Sequence, residues 1–303
     1  MPSSRTSPLP NPVADVDVVR TVPALRQRVA GLRAQGLRVA VVPTMGAFHQ
    51  GHLDLMRAAG DDGHAVVVTL FVNPAQFAAG EDLSRYPRDE ARDLHLAARE
   101  GVSLVFAPDA AEIYPPGFGT AITVAGPSAG FEGAARPEHF GSVATVVAKL
   151  LLAVRPDRAV FGQKDAQQVA VVRRLMADLH LDDIEFMVAP TTREPDGLAM
   201  SSRNAYLGRE DRAAAPVLHR ALLAARALAA GGEADGARVA QAARSVVTAE
   251  PRVALEYASV VHPDTFLPLI RLDGDGAVLV VAARVGPVRL LDNMLLPTPP
   301  PEV

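Results

Sequence analysis

The 303-residue chain is 49% hydrophobic and 21% charged, a globular balance with length enough for one large or two ordinary domains. A formal net charge of −4 argues against a general nucleic-acid binder, and the lack of cysteine excludes disulfides and thiolate catalysis while being compatible with the cytosol. No apolar run approaches the roughly 20 residues of a membrane span, so a soluble, cytoplasmic protein is expected.

In chain order, residues 1–20 read as a flexible leader, because Met1 to Asp17 is rich in Ser, Pro and polar residues and lacks a signal-peptide core. Residues 39–42 form an apolar run typical of a buried strand, and Leu53, Leu55, Met56 and Ala59 then show helical spacing. Strand-like runs at 65–72, 103–107, 158–161 and 184–188 alternate with helical spacing over 89–100, 143–154 and 167–179. This rhythm predicts an α/β fold, a doubly wound Rossmann-like parallel sheet over residues 21–190 with helices on both faces. After Pro190 come a polar turn, alanine-rich helices at 212–230 and 237–249, and strand-like runs at 255–261, 277–283 and 288–291. They predict a second, smaller α+β domain over 191–296. Residues 297–303, rich in proline, read as a tail.

The chemistry collects at strand ends. Residues 43–52, P-T-M-G-A-F-H-Q-G-H, join the first apolar run to its helix, where free N–H groups and the helix dipole favour phosphate. Gly46 and Gly51 suit a strained turn or close approach of a ligand, and His49 and His52 can donate ring N–H bonds to one polyphosphate. Two other readings stand beside this one. Zinc lacks supporting cysteines, an H-E-x-x-H or a carboxylate in the turn; a purely structural histidine pair remains open.

Residues 71–77, F-V-N-P-A-Q-F, offer the amides of Asn73 and Gln76 to a ligand with hydroxyl and carboxylate groups, although Asn-Pro turn chemistry explains Asn73 well. In F-G-Q-K-D-A-Q-Q, 161–168, Gly162 permits close backbone approach, Lys164 suits phosphate, Asp165 suits ribose hydroxyls, and Gln168 lies one helical turn beyond Lys164. The plain alternative is a solvated Lys-Asp pair with an Asp cap. Met200-Ser-Ser-Arg203 carries two hydroxyls and a guanidinium suited to pyrophosphate, against a reading as an exposed loop with a Ser cap. Its place at the domain junction favours a ligand site.

These four motifs with R-Y-P-R at 85–88 and the later R-L-L-D-N closely resemble the pantothenate synthetase (pantoate–β-alanine ligase) family in order and spacing, from Leu37 to Asn293. The resemblance implies an ATP-dependent ligase that joins pantoate to β-alanine through a pantoyl-adenylate, releasing pyrophosphate and then AMP. It places nucleotide contacts on Met45, Gly46, Ala47, Phe48, His49, Gln50, Gly51 and His52. Further contacts fall on Gly162, Gln163, Lys164 and Asp165, on Met200, Ser201, Ser202 and Arg203, and on the backbone near Thr192 for adenine. Pantoate falls to Gln76 and Gln168, with Gln76 also near β-alanine. His52 takes the position of proton donor, and Arg136 and His139 line the same cleft.

Pantoate is ionised near neutral pH and needs no general base, so the demand is for positioning and for donors to developing charge. His49, His52, Lys164, Ser201, Ser202 and Arg203 form the expected catalytic group. The resemblance also implies Mg2+ with ATP and a homodimer. Arg92-Asp93 stands where relatives often carry an acidic pair, so no protein ligand for the metal is assigned. Other readings are a different H-x-G-H nucleotidyltransferase, a class I aminoacyl-tRNA synthetase, which would need a basic RNA-binding module, and a nucleotide-sensing homologue without turnover.

Overall fold

The structure, a computed structural model, describes residues 15–77, 83, 86–272 and 274–297. Residues 1–14 of the expected leader, Arg85 of R-Y-P-R and residues 298–303 of the expected tail lie outside the described residues. The first unit runs β1 (Val18–Val19), α1 (Val22–Ala34), β2 (Val39–Thr44), α2 (Gln50–Gly60), β3 (Ala65–Leu70), α3 (Glu90–Arg99), β4 (Leu104–Phe106), α4 (Ala110–Ile113), α5 (Phe131–Ala135), α6 (His139–Val154), β5 (Arg158–Gly162), α7 (Ala166–Asp178) and β6 (Glu185–Ala189). Its six strands are parallel in the order β1-β4-β3-β2-β5-β6. The doubly wound sheet expected from the sequence is present.

Structure begins earlier than the expected leader, which reaches residue 20, allows. Val18 and Val19 pair with Val105 and Phe106, and Thr21 then caps α1. A two-residue strand has no period of its own. It exists because β4 offers an open edge.

Alternate residues of β2 feed opposite cores, as strand geometry requires. Val39 and Val41 pack with Leu25, Leu151 and Leu175, while Ala40 and Val42 pack with Phe48, Met56 and Ala97. With both faces covered, the strand is continuously apolar, and each fully buried Val contributes about 1.5–3 kcal/mol. β2 lies between β3 and β5. The chain winds outward from β2 in one direction through β3 and β4, then crosses back to β5, so the strand order reverses at the β2/β5 ends. Such a crevice is where open α/β sheets bind ligands.

The second unit contains α8 (Arg209–Ala214), α9 (Val217–Ala230), α10 (Gly236–Thr248), β7 (Val253–Val261), β8 (Ala277–Val285) and β9 (Val288–Leu296). Its sheet is antiparallel in the order β7-β8-β9. The single helix expected at 212–230 is two, divided at Pro216, which cannot donate a helical N–H. Arg209–Ala230 together is also long and apolar enough, by length and composition, to match a membrane span, contrary to the sequence reading; half of its most apolar 18 residues are buried inside the protein. Its apolar face, with Leu218 and Leu222, packs in one core with Val239 of α10 and Leu279 of the sheet.

β8 is buried along nearly its whole length because both of its faces are covered. Leu279 and Val281 face α9 and α10, whereas Val278 and Val280 meet Ala166 and Ala170 of α7, with Val261 and Phe266 beside them. An apolar joint therefore links the two units next to the crevice.

Candidate active site

The turn after β2 is shaped by its own sequence. Gly46 and Ala47 take left-handed conformations, with φ of 84° and 53°. A Cβ at Gly46 would approach Leu70 Cδ1 to 2.7 Å and Asp93 Oδ2 to 2.9 Å, so glycine is required there. The Ala47 and Phe48 amides both donate to the Asp93 carboxylate at 2.8 Å, and Arg92 donates to the Phe48 carbonyl at 3.0 Å. The Arg-Asp pair thus holds the turn. Burial pushes the Asp93 carboxyl above its ordinary value, against the opposing effect of the two amides. Each Asp93 oxygen accepts a turn amide, and the residue is 1% exposed and outside the cleft lining, so its visible work is to brace the turn; among the described residues no group of three or more His, Cys, Asp or Glu gathers as a metal site.

His49 caps α2, its Nδ1 accepting the Gly51 N–H at 3.2 Å, and His52 Nδ1 accepts the His49 N–H at 3.3 Å. With both Nδ1 atoms accepting, each neutral ring carries its hydrogen on Nε2. Burial pushes His49 down to about 4, reinforced by the Lys164 charge; burial, then His49 and Lys164, push His52 down to about 3. The rings are therefore neutral near pH 7. Each supplies a hydrogen-bond donor, and neither adds a positive charge.

Both rings line one cleft at the switch point together with Met45, Gly51, Gln76, Gly162, Lys164, Asp165, Gln168, Thr192, Met200, Ser201, Ser202 and Arg203. Arg136 and His139 line it too. Gly46, Ala47, Phe48, Gln50 and Gln163 are not among its lining residues. Phe48 is a core ring, Gln50 turns to Asp54 at 2.8 Å, and Gln163 bonds Asn293 at 3.0 Å.

Gln76 ends a short 3-10 turn, Pro74–Gln76, capped by Asn73. Asn73 itself is buried, accepting Tyr114 Oη at 2.8 Å and donating to Gln76 Oε1 at 3.3 Å. It is a turn residue supporting Gln76. Gln76 Nε2 rests on Met45 Sδ at 2.8 Å, and its carbonyl accepts from Arg136 at 3.0 Å and His139 Nδ1 at 3.2 Å. Arg136 also meets His139 Nε2 at 3.3 Å, which fits a ring protonated on Nδ1. Arg136 and His139 hold Gln76 from behind as well as lining the cleft.

The Ser201 hydroxyl caps the following turn, accepting the Arg203 N–H at 3.3 Å. Thr192 Oγ1 donates to Asp54 of α2 at 2.6 Å, which ties the junction segment to the H-x-G-H helix.

Several residues at the site carry no local sequence signal. Glu132 lines the cleft with an almost buried carboxylate that accepts from Arg289 at 2.5 and 2.6 Å and from Tyr257 Oη at 2.7 Å. Burial pushes it up, but the hydrogen bonds and charge of Arg289 outweigh burial and hold it below its ordinary value. The Gln167 amide fixes the Glu132 segment, accepting the Glu132 N–H at 3.0 Å and donating to Pro127 and Ala129 carbonyls at 3.0 and 3.1 Å. The R-L-L-D-N run hinted at this side of the cleft, since it contains Arg289 and Asn293, and Gln167 stands in the motif at 161–168; Glu132 and Tyr257 belong to no motif.

A doubly wound parallel sheet whose switch-point helix begins H-x-G-H, with a lysine opposite and a hydroxyl-rich segment closing the side, defines an enzyme of the nucleotidyltransferase-like α/β class. The pantoate-beta-alanine ligase family model matches residues 17–295. A pantothenate synthetase of Chloroflexus aurantiacus is 51% identical over 279 residues, which cover 92% of this chain and 98% of the relative. Another, from Acidiphilium cryptum, is 51% identical over 280 residues, 92% of this chain and 99% of the relative. A pantothenate synthetase structure from Thermus thermophilus superposes with a TM-score of 0.86 at 47% identity, covering 93% of this chain and all of that one. Pantoate-beta-alanine ligase from Francisella tularensis, solved in complex with beta-gamma ATP and β-alanine, gives 0.73 at 28% identity over 92% of this chain and 97% of its own. The chain belongs to the pantoate–β-alanine ligase family.

Proposed function

We propose that this chain condenses pantoate with β-alanine to pantothenate at the expense of ATP, through a pantoyl-adenylate, with AMP and pyrophosphate as products. The observation that carries the reading is the convergence of His49, His52, Lys164 and Ser201–Arg203 on the same cleft as Gln76 and Gln168. The first group offers donors and positive charge to a triphosphate; the second offers amides to a hydroxy acid.

In the first step a pantoate carboxylate oxygen attacks the α-phosphorus, and the bond to pyrophosphate breaks. Gln76 and Gln168 orient pantoate, while Nε2–H donors of His49 and His52, Lys164 and Arg203 offset charge on the phosphates and the departing pyrophosphate. Ser201 and Ser202 add hydroxyl donors, Gly162 allows close backbone approach, Asp165 accepts from the ribose, and the backbone near Thr192 meets adenine. In the second step the β-alanine amine attacks the mixed anhydride and AMP leaves. Mg2+ would enter with ATP, held chiefly by phosphate oxygens and water, and would offset charge on the triphosphate.

Residues 21–190 act as the ATP and pantoate domain, with 191–296 closing over the site. A cytoplasmic homodimer is the expected form. The deciding experiment incubates the protein with ATP, pantoate and β-alanine and identifies the nucleotide product. AMP with pantoate-dependent pyrophosphate exchange supports the adenylate route. ADP would overturn that route, and no turnover would favour a nucleotide sensor.

A further inference from the structure

The R-L-L-D-N run ends on β9 in the second unit, and its last residue is tied to the first. Asn293 is 3% exposed. Its Nδ2 donates to the carbonyls of Gln163 and Lys164, both at 2.9 Å, and its Oδ1 accepts Gln163 Nε2 at 3.0 Å. All three bonds land on the 3-10 turn Gln163–Asp165, which has no side-chain cap of its own.

Asn293 is itself held. Its backbone N–H donates to Asp292 Oδ1 at 2.8 Å, and Asp292 receives Arg193 at 2.6 and 2.9 Å. Arg193 directly follows Thr192 in the opposite wall. A continuous strut of polar groups therefore runs from the junction segment through β9 to the Lys164 turn.

We propose that Asn293 is a positioning residue for Lys164: by holding the Gln163 and Lys164 carbonyls, it fixes the backbone from which the Lys164 ammonium enters the cleft beside His49 and His52. The inference rests on the phosphate role given to Lys164 above. A lysine head sits on a flexible four-carbon stem, so its placement depends on how firmly the backbone at its root is set. Asparagine supplies two donors and an acceptor on one short side chain. Aspartate has the same shape but would turn acceptors toward two carbonyl oxygens.

The test measures single-turnover formation of the pantoyl-adenylate from ATP and pantoate in wild type, N293A, N293D, K164A and both Asn293 variants combined with K164A, with thermal unfolding followed in parallel. N293A and N293D are expected to slow adenylate formation about tenfold or more, the scale of losing two buried hydrogen bonds. In the K164A background the same changes should cost less than about twofold, because residues acting as a unit are not additive. Additive losses would overturn the proposal, since a general packing defect slows both backgrounds alike. A wild-type rate in K164A would instead sink the phosphate role of Lys164, and the positioning role with it. If N293A does not fold, N293D carries the comparison, because it keeps the size of the side chain and the bond from Gln163.

Discussion

The Asp93 carboxylate reaches from α3 to the Phe48 amide at 2.8 Å, 45 residues earlier in the chain, and its other oxygen takes the Ala47 amide at the same distance. Two adjacent N–H groups in a left-handed turn form a concavity suited to an anion. In this protein the anion is the chain's own side chain. Asp93→Ala leaves both amides without their partner and should lower stability by about 2–3 kcal/mol. It should also raise KM for ATP, because the turn leads directly into the H-x-G-H cap. Urea unfolding and steady-state kinetics check both effects, and an unchanged midpoint would refute the brace.

The histidine pair makes stability depend on pH with a definite sign. An unfolded histidine titrates near 6.5, whereas folding holds His49 near 4 and His52 near 3. Protons therefore bind the unfolded chain first. The contribution of these rings to stability is fully present above about pH 6.5 and is lost progressively as pH falls toward their folded values. His52→Asn should flatten the stability-versus-pH curve between about pH 6.5 and pH 4. Nitrogen NMR of the wild type should show both rings neutral and protonated on Nε2 at about pH 6, and a cationic ring at that pH would contradict the burial.

His52→Ala should impair adenylate formation far more than ATP binding, since the donor matters most as charge develops on the phosphates. The expected loss is about 100-fold in the single-turnover rate, the lower end of the range for removing one such donor. ATP affinity, by equilibrium titration, should change by less than about fivefold. A variant that forms adenylate at the wild-type rate would remove His52 from the mechanism.

Arg289→Ala strands the Glu132 carboxylate in the joint between the units. Breaking a buried pair on one side typically costs about 3–5 kcal/mol, whereas E132Q with R289M removes both charges and should recover much of the loss. Glu132 is held below its ordinary value, so its share of wild-type stability is present above about pH 4.3 and lost as pH falls further. Thermal unfolding at about pH 5 and about pH 3, on either side of the window for Glu132, distinguishes the outcomes: the double variant should show the weaker acid sensitivity.

Much of the first unit is legible in the sequence because parallel strands covered on both faces become unbroken apolar runs, as residues 39–42 do. The expected strand at 184–188 and the observed Glu185–Ala189 differ by a single residue at each end. α1 escapes a reading by apolar spacing because its exposed face is rich in arginine and only Leu25 and Val29 are buried. Thr21 followed by Pro23 is nevertheless a readable helix start, and Pro216 a readable break. The second layer of the cleft has no such local signature. Glu132 lies in a short helix with no run of its own, and Asn293 sits inside β9 beside Asp292, where the apolar run expected to end at residue 291 in fact continues as strand. What recruits them is the approach of the second unit, which no period in the chain announces.

The apolar joint between Ala166, Ala170, Val278, Val280 and Phe266 makes the chain a poor source of interchangeable modules. Cutting it after Pro190 would strip α7 of its cover and leave β8 with a bare hydrophobic flank, so each half would tend to aggregate when produced alone. A chimera with the second unit of a relative would inherit the same difficulty unless the donor's α7 surface travelled with it. The surface that must be kept matched runs into the cleft wall itself, since Ala166, Phe266 and Val280 belong to both.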